Sequence, residues 1–288
     1  MSIRLVTNEK IAETSSKGNQ EKWYDRDNGR WYKLDQFGYE ALAETMISSL
    51  LEYSNIETET PFTFVRYRME RLHVHRRDRT GCSSENFLKD GWSIITIYKL
   101  LNQYLGGTLR EKLTRLTSDK KRIAYLAEAA AEYTGLSAFP QYLTLLFEID
   151  ALFLNDDRHL NNIAVLEKDG QYAYCPIFDN GAGLLSNVQI SPMDIDPKAL
   201  IASVRARPFD TTFMHQKKAA ESLYGMVLHM PEVSAQELRD QLQPILPYYA
   251  ERDRSLITER VVNCILQQQK KFRGKSAESS RLYDVGAY

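Results

Sequence analysis

Only three of the 288 residues are cysteine, at positions 82, 175 and 264. They are odd in number, widely spaced and without metal-type pairing, so neither a disulfide framework nor a zinc site is expected. Cys82, Cys175 and Cys264 read as free thiols in a reducing compartment. No apolar run approaches the roughly 20 residues that a membrane-spanning helix requires. The start, Met1-Ser2-Ile3-Arg4-Leu5, lacks the apolar core and cleavage site of a secretory signal. The formal net charge is −1, from 37 Lys and Arg against 38 Asp and Glu. A balance so even excludes the molecule as a whole as an electrostatic partner for nucleic acid or an anionic membrane. There is no internal repeat. What remains is an ordinary globular composition, 43% hydrophobic and 26% charged, long enough for one large domain or two lobes with substantial cores. The expected location is cytoplasmic; an exported, host-directed effector would share this composition.

Periodicity divides the chain. Residues 11–22 are polar and read as a loop around Ser15, Ser16 and Gly18. Trp23-Tyr24 and Gly29 to Leu34 read as strands joined by a turn. A helical stripe over 39–51 is set by Leu42, Met46, Ile47, Leu50 and Leu51. Phe62 to Met69 alternates as a half-buried strand, with a phase slip expected at Glu70-Arg71 before Leu72 to His75 resumes it. A basic tip, Arg76-Arg77-Asp78-Arg79, then precedes a turn near Thr80-Gly81. Helical patterns cover 94–105, 108–117, 119–134 (with Ser118 as its cap) and 140–154. More follow near 197–204, 214–230, 234–243 and 248–271. The expected class is α+β: a strand-rich N-terminal lobe over 1–90, a mainly helical lobe over 91–272, and a polar tail over 273–288. The pattern breaks between them at Lys89-Asp90-Gly91.

The densest chemistry lies at Asn155-Asp156-Asp157-Arg158-His159-Leu160-Asn161-Asn162 and, beyond it, Phe178-Asp179-Asn180-Gly181. Asp157 and Asn162 are five residues apart, and Asp179 follows Asp157 by 22. Between them, Asp169-Gly170 separates two β-rich apolar runs, a hairpin signal. A hairpin returns the end of its second strand to the start of its first, which would bring Asp179 beside Asp157 and Asn162. Phosphoryl transfer needs such a cluster: one carboxylate for the attacking hydroxyl, with an amide and a second carboxylate for a phosphate-bound cation. As isolated residues, each would serve equally well as a cap or turn former.

Asp157-x-His159-x-x-Asn162 followed by Asp179 resembles the catalytic and metal-binding segments of HipA-like serine/threonine kinases, bacterial enzymes of two-lobed, protein-kinase-like fold, several of them toxins. Phosphoinositide kinases carry a similar Asp-Arg-His-x-x-Asn string. Gly18-Asn19-Gln20-Glu21-Lys22 favours the first family, whose phosphate loop reads Gly-x-Gln-Glu-Lys. The resemblance runs from about residue 15 to 190. It implies ATP and magnesium (Mg2+) as cofactors, with Asp157 as base, Asn162 and Asp179 as metal ligands, and His159 either near the γ-phosphate or bracing its loop. It also implies a protein substrate with a Ser or Thr acceptor and an antitoxin or other companion protein.

In the N-terminal half, Gly18 would let backbone N–H groups approach a phosphate, flanked by Asn19, Gln20 and Lys22. Lys33, on a strand before a helix, suits the α- and β-phosphates. Glu40 and Glu44 share one helical face as candidate partners of Lys33; the resemblance favours Glu40 and leaves the other as a solvated surface residue. Glu85-Asn86-Phe87 resembles the connector whose backbone meets adenine, making Glu85 and Phe87 nucleotide-site candidates. The family's regulatory serine, just before the loop glycine, is replaced by Lys17, so autophosphorylation would fall to Ser15 or Ser16. The arginine-rich stretch from Arg66 to Arg79 is diluted by Glu70 and Asp78, and direct nucleic-acid contact is not expected. Two other readings stay open: a phosphoinositide-type lipid kinase, and a non-catalytic nucleotide-binding toxin–antitoxin component.

Overall fold

In the computed structural model, which describes residues 4–5, 21–105 and 108–273, the N-terminal half forms a five-stranded sheet. Its strands are Arg4–Leu5 (β1), Lys22–Asp25 (β2), Arg30–Leu34 (β3), Tyr67–Val74 (β4) and Arg77–Glu85 (β5), in the order β1-β4-β5-β3-β2. β1 runs parallel to β4, and the other neighbours are antiparallel. Asp25 organises the β2–β3 loop by accepting from the Asp27 amide and the Asn28 side chain. Side chains alternate across β3. Tyr32 and Leu34 join Trp23, Leu72 and Val74 in one apolar cluster, which turns Trp31 and Lys33 to the opposite face.

Two features of this sheet differ from expectation. β4 and β5 pair without a slip, from Tyr67 opposite Ser84 to Val74 opposite Arg77. Their turn is at His75 and Arg76, both at positive φ, the conformation that a two-residue hairpin requires. Thr80-Gly81 therefore lies inside β5. Gly81 is there for close approach, since a Cβ would collide with the Lys33 carbonyl of β3. Three of the six arginines in the basic stretch are also consumed internally. Arg66 pairs with Glu52 and Glu57, Arg79 with Glu21, and Arg71 donates to the Tyr248 carbonyl.

Helix Glu40–Leu51 (α1) follows β3, and a short turn of helix, Ile56–Glu59 (α2), leads into β4. Leu42, Met46, Ile47 and Leu50 are completely buried and belong to the same apolar cluster as the helical half. One core therefore runs through both lobes.

Ser93–Thr96 (β6) pairs with Ala164–Lys168 (β7), and β7 with Gln171–Tyr174 (β8). The helix expected from 94 begins only at Ile97 (α3, Ile97–Tyr104). The β-branched residues before it are taken by β7, and Thr96 caps the helix by accepting from the Lys99 amide. Leu109–Arg115 (α4), Asp119–Thr134 (α5) and Phe139–Phe153 (α6) follow, with Ser118 capping α5. Beyond the hairpin come Pro197–Ser203 (α7), Phe213–Tyr224 (α8), Ala235–Leu242 (α9) and Glu251–Arg273 (α10). α8 stops at Tyr224, short of the expected 230, because Gly225 takes a positive φ. A separate 3-10 turn at Leu246–Tyr248 precedes α10. α6 packs on α5, α8 and α10 and is buried almost all round. No helix among the described residues is long and apolar enough to cross a membrane, and all three cysteines are buried and unpaired.

Gly81→Ala is expected to destabilise the protein by about 1–3 kcal/mol, as overpacking a filled site does. Equilibrium urea unfolding measures this; an unchanged midpoint would show that β3 and β5 can separate freely.

Candidate active site

The hairpin forms where Asp169-Gly170 predicted it, with both residues at positive φ and Lys168 opposite Gln171. Beyond β8 the chain passes under the N-terminal lobe. There the Ile177 amide donates to the Thr63 carbonyl at 2.8 Å and its carbonyl accepts from Val65 at 2.9 Å. Asp179 follows two residues later, itself at positive φ.

At the other end, Leu154 terminates α6 in the left-handed conformation and releases the loop that carries Asp157. Asn155 ties this loop down, donating to Asp150 at 3.0 Å and to the Asp179 carbonyl at 3.4 Å. Asn162 donates from its amide nitrogen to the Asp157 carbonyl at 2.8 Å and to its carboxylate at 3.3 Å. His159 lies with Nε2 3.7 Å from the Asp157 carboxylate and its side chain 47% exposed, so the ring stands at the mouth of the site and not beneath the loop.

Arg158 joins the two segments. Its guanidinium, 1% exposed, grips the equally buried Asp150 carboxylate. The same group donates to the Asn162 carbonyl at 3.2 Å, the Phe178 carbonyl at 2.8 Å and the Asn180 side chain at 2.6 Å. One side chain thus holds the end of the first segment against the start of the second, which is the convergence that the hairpin implied.

Lys33 approaches from above. Its Nζ donates to Glu44 at 2.6 Å and to Asp179 at 2.7 Å and lies 5.1 Å from the Tyr67 ring centre. The other oxygen of Glu44 accepts from the Asn180 amide at 2.9 Å. The partner of Lys33 is therefore Glu44, not Glu40. Glu40 stands at the first turn of α1, where its carboxylate folds back to accept from the Phe37 and Gly38 amides. Those amides belong to the loop ahead of the helix, so the carboxylate braces the entry to α1. Neither glutamate is a solvated surface residue, Glu40 being 7% and Glu44 0% exposed.

Lys22 is registered opposite Lys33 across β2 and β3 and so shares its face. Burial works against the charge of Lys33, but Asp179 and then Glu44 hold it well above the ordinary ammonium range. Burial would raise Asp179, yet Lys33 and Lys22 hold it below the usual carboxylate range. Burial raises Glu44, with Lys33 offsetting part of the rise. Burial lowers Lys22, with Asp179 opposing. Partial burial raises Asp157, His159 opposing and Asp179 reinforcing; with 60% of that side chain exposed, water screens much of the effect.

Gly18, Asn19 and Gln20 of the expected phosphate loop, with Ser15 and Ser16, lie outside the described residues. The Glu85 side chain points to solvent, 3.7 Å from Arg30. Phe87 turns inward and packs on Phe178 at 6.1 Å, beside Val65, Tyr67 and Cys82. An apolar patch thus adjoins the charged cluster.

No family model matches this chain, and no curated protein matches it in sequence. Solved structures match it in fold. The proinflammatory kinase CtkA of Helicobacter pylori superposes with a TM-score of 0.55 at 12% identity, over 93% of each chain. HipA of Shewanella oneidensis MR-1, in a complex with HipB and operator DNA, superposes with a TM-score of 0.50 at 14% identity, over 94% of this chain and 68% of the other. The chain has the HipA-like kinase fold.

Within the HipA-like fold, four residues that carry no individual role in the sequence expectation hold the site: Asp150, Asn155, Arg158 and Asn180. One signal was available for the first. A carboxylate in the middle of Leu-Leu-Phe-Glu-Ile-Asp-Ala-Leu-Phe has no place on an apolar helix unless it meets a partner. Arg158 carried no such mark, because an Arg in a polar loop looks solvated until the fold buries it.

Among the described residues no three His, Cys, Asp or Glu side chains gather as a metal-holding group. The donors present still fit a hard cation such as magnesium, which takes one or two protein oxygens and fills its shell with water and phosphate. Asp179 uses only Oδ1 on Lys33, and Asn162 uses only its amide nitrogen. Asp179 Oδ2 and Asn162 Oδ1 thus make no hydrogen bond among the described residues.

Two outcomes follow. Arg158→Met strands the Asp150 carboxylate and should cost about 3–5 kcal/mol. Adding Asp150→Leu should recover part of that loss, whereas strictly additive losses in the double-mutant cycle would mean that the pair does not couple. The second outcome concerns pH. Asp179 is held low, so its contribution is complete above the unfolded carboxylate value of about 3.9 and lost as pH falls. Lys33 is held high, so its contribution is complete below the unfolded value of about 10.4 and lost on raising pH further. The urea-unfolding difference between wild type and Asp179→Asn should therefore be flat from about pH 5 to 9 and shrink in stronger acid. A difference that grows on acidification contradicts this charge assignment.

Proposed function

We propose that this chain is an ATP-dependent serine/threonine protein kinase. The observation that carries the reading is the single Nζ of Lys33 bridging Glu44 and Asp179, while Arg158 ties Asn162 to Phe178, the residue before Asp179, and Asn162 in turn bonds Asp157. A cation on a sheet, a carboxylate on the adjoining helix, and two carboxylates with an amide below form a charge layout suited to a triphosphate and an attacking hydroxyl.

In this reading Asp157 accepts the proton of a Ser or Thr hydroxyl as its oxygen bonds to the γ-phosphorus and the β,γ-bridging bond breaks, leaving ADP. Lys33 and Lys22 hold the non-transferred phosphates. Asn162 and Asp179 would hold magnesium, which when bound neutralises phosphate charge. Asp179 is suited to that role by staying ionised throughout the physiological range. Phe87 and Phe178 offer the purine an apolar wall. The likeness to HipA, solved with HipB, supports a companion protein for this chain as well as a protein substrate.

Asp157→Ala should lower turnover by about 10²- to 10⁴-fold, the usual contribution of a positioned acid–base group. Nucleotide affinity should change far less. Asp179→Asn should instead remove the magnesium dependence of nucleotide binding. Radiolabel transfer from ATP to lysate proteins, paired with nucleotide titration calorimetry, separates the two effects. Normal transfer by Asp157→Ala ends the assignment, and label appearing only in offered liposomes would favour a lipid kinase.

A further inference from the structure

A cavity of about 260 Å³ opens next to Asp156, the residue preceding Asp157. Ile190 and Ser191, from the segment that follows Asp179, form one wall, and Arg205, Arg207 and Asp210 form another. The arginine wall is rigid. Ala206 pairs with Thr211 through bonds of 2.8 and 3.3 Å, and the Arg207 carbonyl accepts from the Gln216 side chain at 2.8 Å.

Ala206 is completely buried, while Arg205 and Arg207 are exposed. In an extended segment, residues on either side of an inward one project outward together. The two guanidiniums therefore leave one face of a fixed loop.

Their charges are unequally committed. Arg207 stands 3.4 Å from Asp210, in a pair whose side chains are 50% and 65% exposed, so the pair is weak and easily exchanged. Arg207 also opposes Asp156, a carboxyl pushed up to about 6 by burial and by its neighbour Asp157. Arg205 has no ion pair among the described residues. The uncommitted charge on this wall is positive, and it takes the planar, forked form that matches carboxylate or phosphate oxygens.

We propose that this pocket receives an anionic side chain of the protein substrate, an acidic or phosphorylated residue flanking the acceptor hydroxyl, with Arg205 as its principal contact. This rests on the kinase reading for the word substrate, but the binding itself does not depend on phosphoryl transfer.

The test uses fluorescein-labelled Ser-containing peptides differing only beside the serine: Asp, phosphoserine, Ala or Lys. Binding to the full chain is read by anisotropy, and phosphoryl transfer from ATP is read separately. Wild type should bind the Asp or phosphoserine peptide about tenfold more tightly than the Ala peptide, the worth of one charge-assisted hydrogen bond. Which of the two binds better tells carboxylate from phosphoryl recognition. Arg205→Ala should bring that ratio close to one, and Arg205→Glu should move the preference to the Lys peptide. Arg205 is exposed, so folding of both variants is checked by an unchanged thermal midpoint. Equal binding of all four peptides by wild type, or preference for Lys, overturns the pocket assignment. Charge-selective binding with no transfer to any peptide leaves the pocket standing and removes the kinase reading instead.

Discussion

Arg158 carries its charge into the protein interior, and the shape of the site follows from what it finds there. A buried guanidinium is tolerated only with a buried anion and acceptors for its remaining protons. Asp150 supplies the anion from the last turn of α6, the most apolar helix among the described residues. The other acceptors are the Asn162 and Phe178 carbonyls and the Asn180 amide oxygen. Those acceptors belong to segments on opposite sides of a hairpin. Satisfying one ion's hydrogen bonds therefore fixes the distance between the loop bearing Asp157 and the turn bearing Asp179. Loops on a surface would otherwise be free to drift.

A second charge cluster performs the same service between the lobes. Lys33 comes from the sheet, Glu44 from α1 and Asp179 from the far side of the hairpin, and the three meet within hydrogen-bond distance. Their sum is one negative charge, which Lys22 on the neighbouring strand compensates. This cluster of four is thus close to neutral before anything binds, with one oxygen of Asp179 still uncommitted. α1 contributes to both systems. Its apolar side belongs to the core of the helical lobe, and its carboxylate faces the sheet, so the two lobes do not merely touch at a connector.

The sequence was a good guide where information is local. Asp169-Gly170 specified a two-residue hairpin, because few residues accept positive φ in succession. The spacing of Asp157, Asn162 and Asp179 then implied their meeting. Ser118 was legible as a cap, whereas Thr96 fell inside a helical pattern read as starting at 94. The strand before α3 was therefore missed, since Ile94 and Ile95 suit helix and strand alike until β7 presents an edge. Gly81 was misread for a related reason. A glycine marks either a turn or a close approach, and only the neighbouring strand decides which.

By itself, then, the chain determined its two-lobed character, its hairpin and the types of side chain that carry the chemistry, because these depend on periodicity and on neighbours a few residues away. The tertiary structure alone decided that Lys33 meets Glu44 and that Arg158 meets Asp150. Two carboxylates one helical turn apart share a face, but the loop amides of Phe37 and Gly38, just ahead of the helix, take up the first, leaving the second to reach Lys33 and Asn180. Whether an arginine is solvated or buried depends on what packs over it, and that is a property of the whole fold.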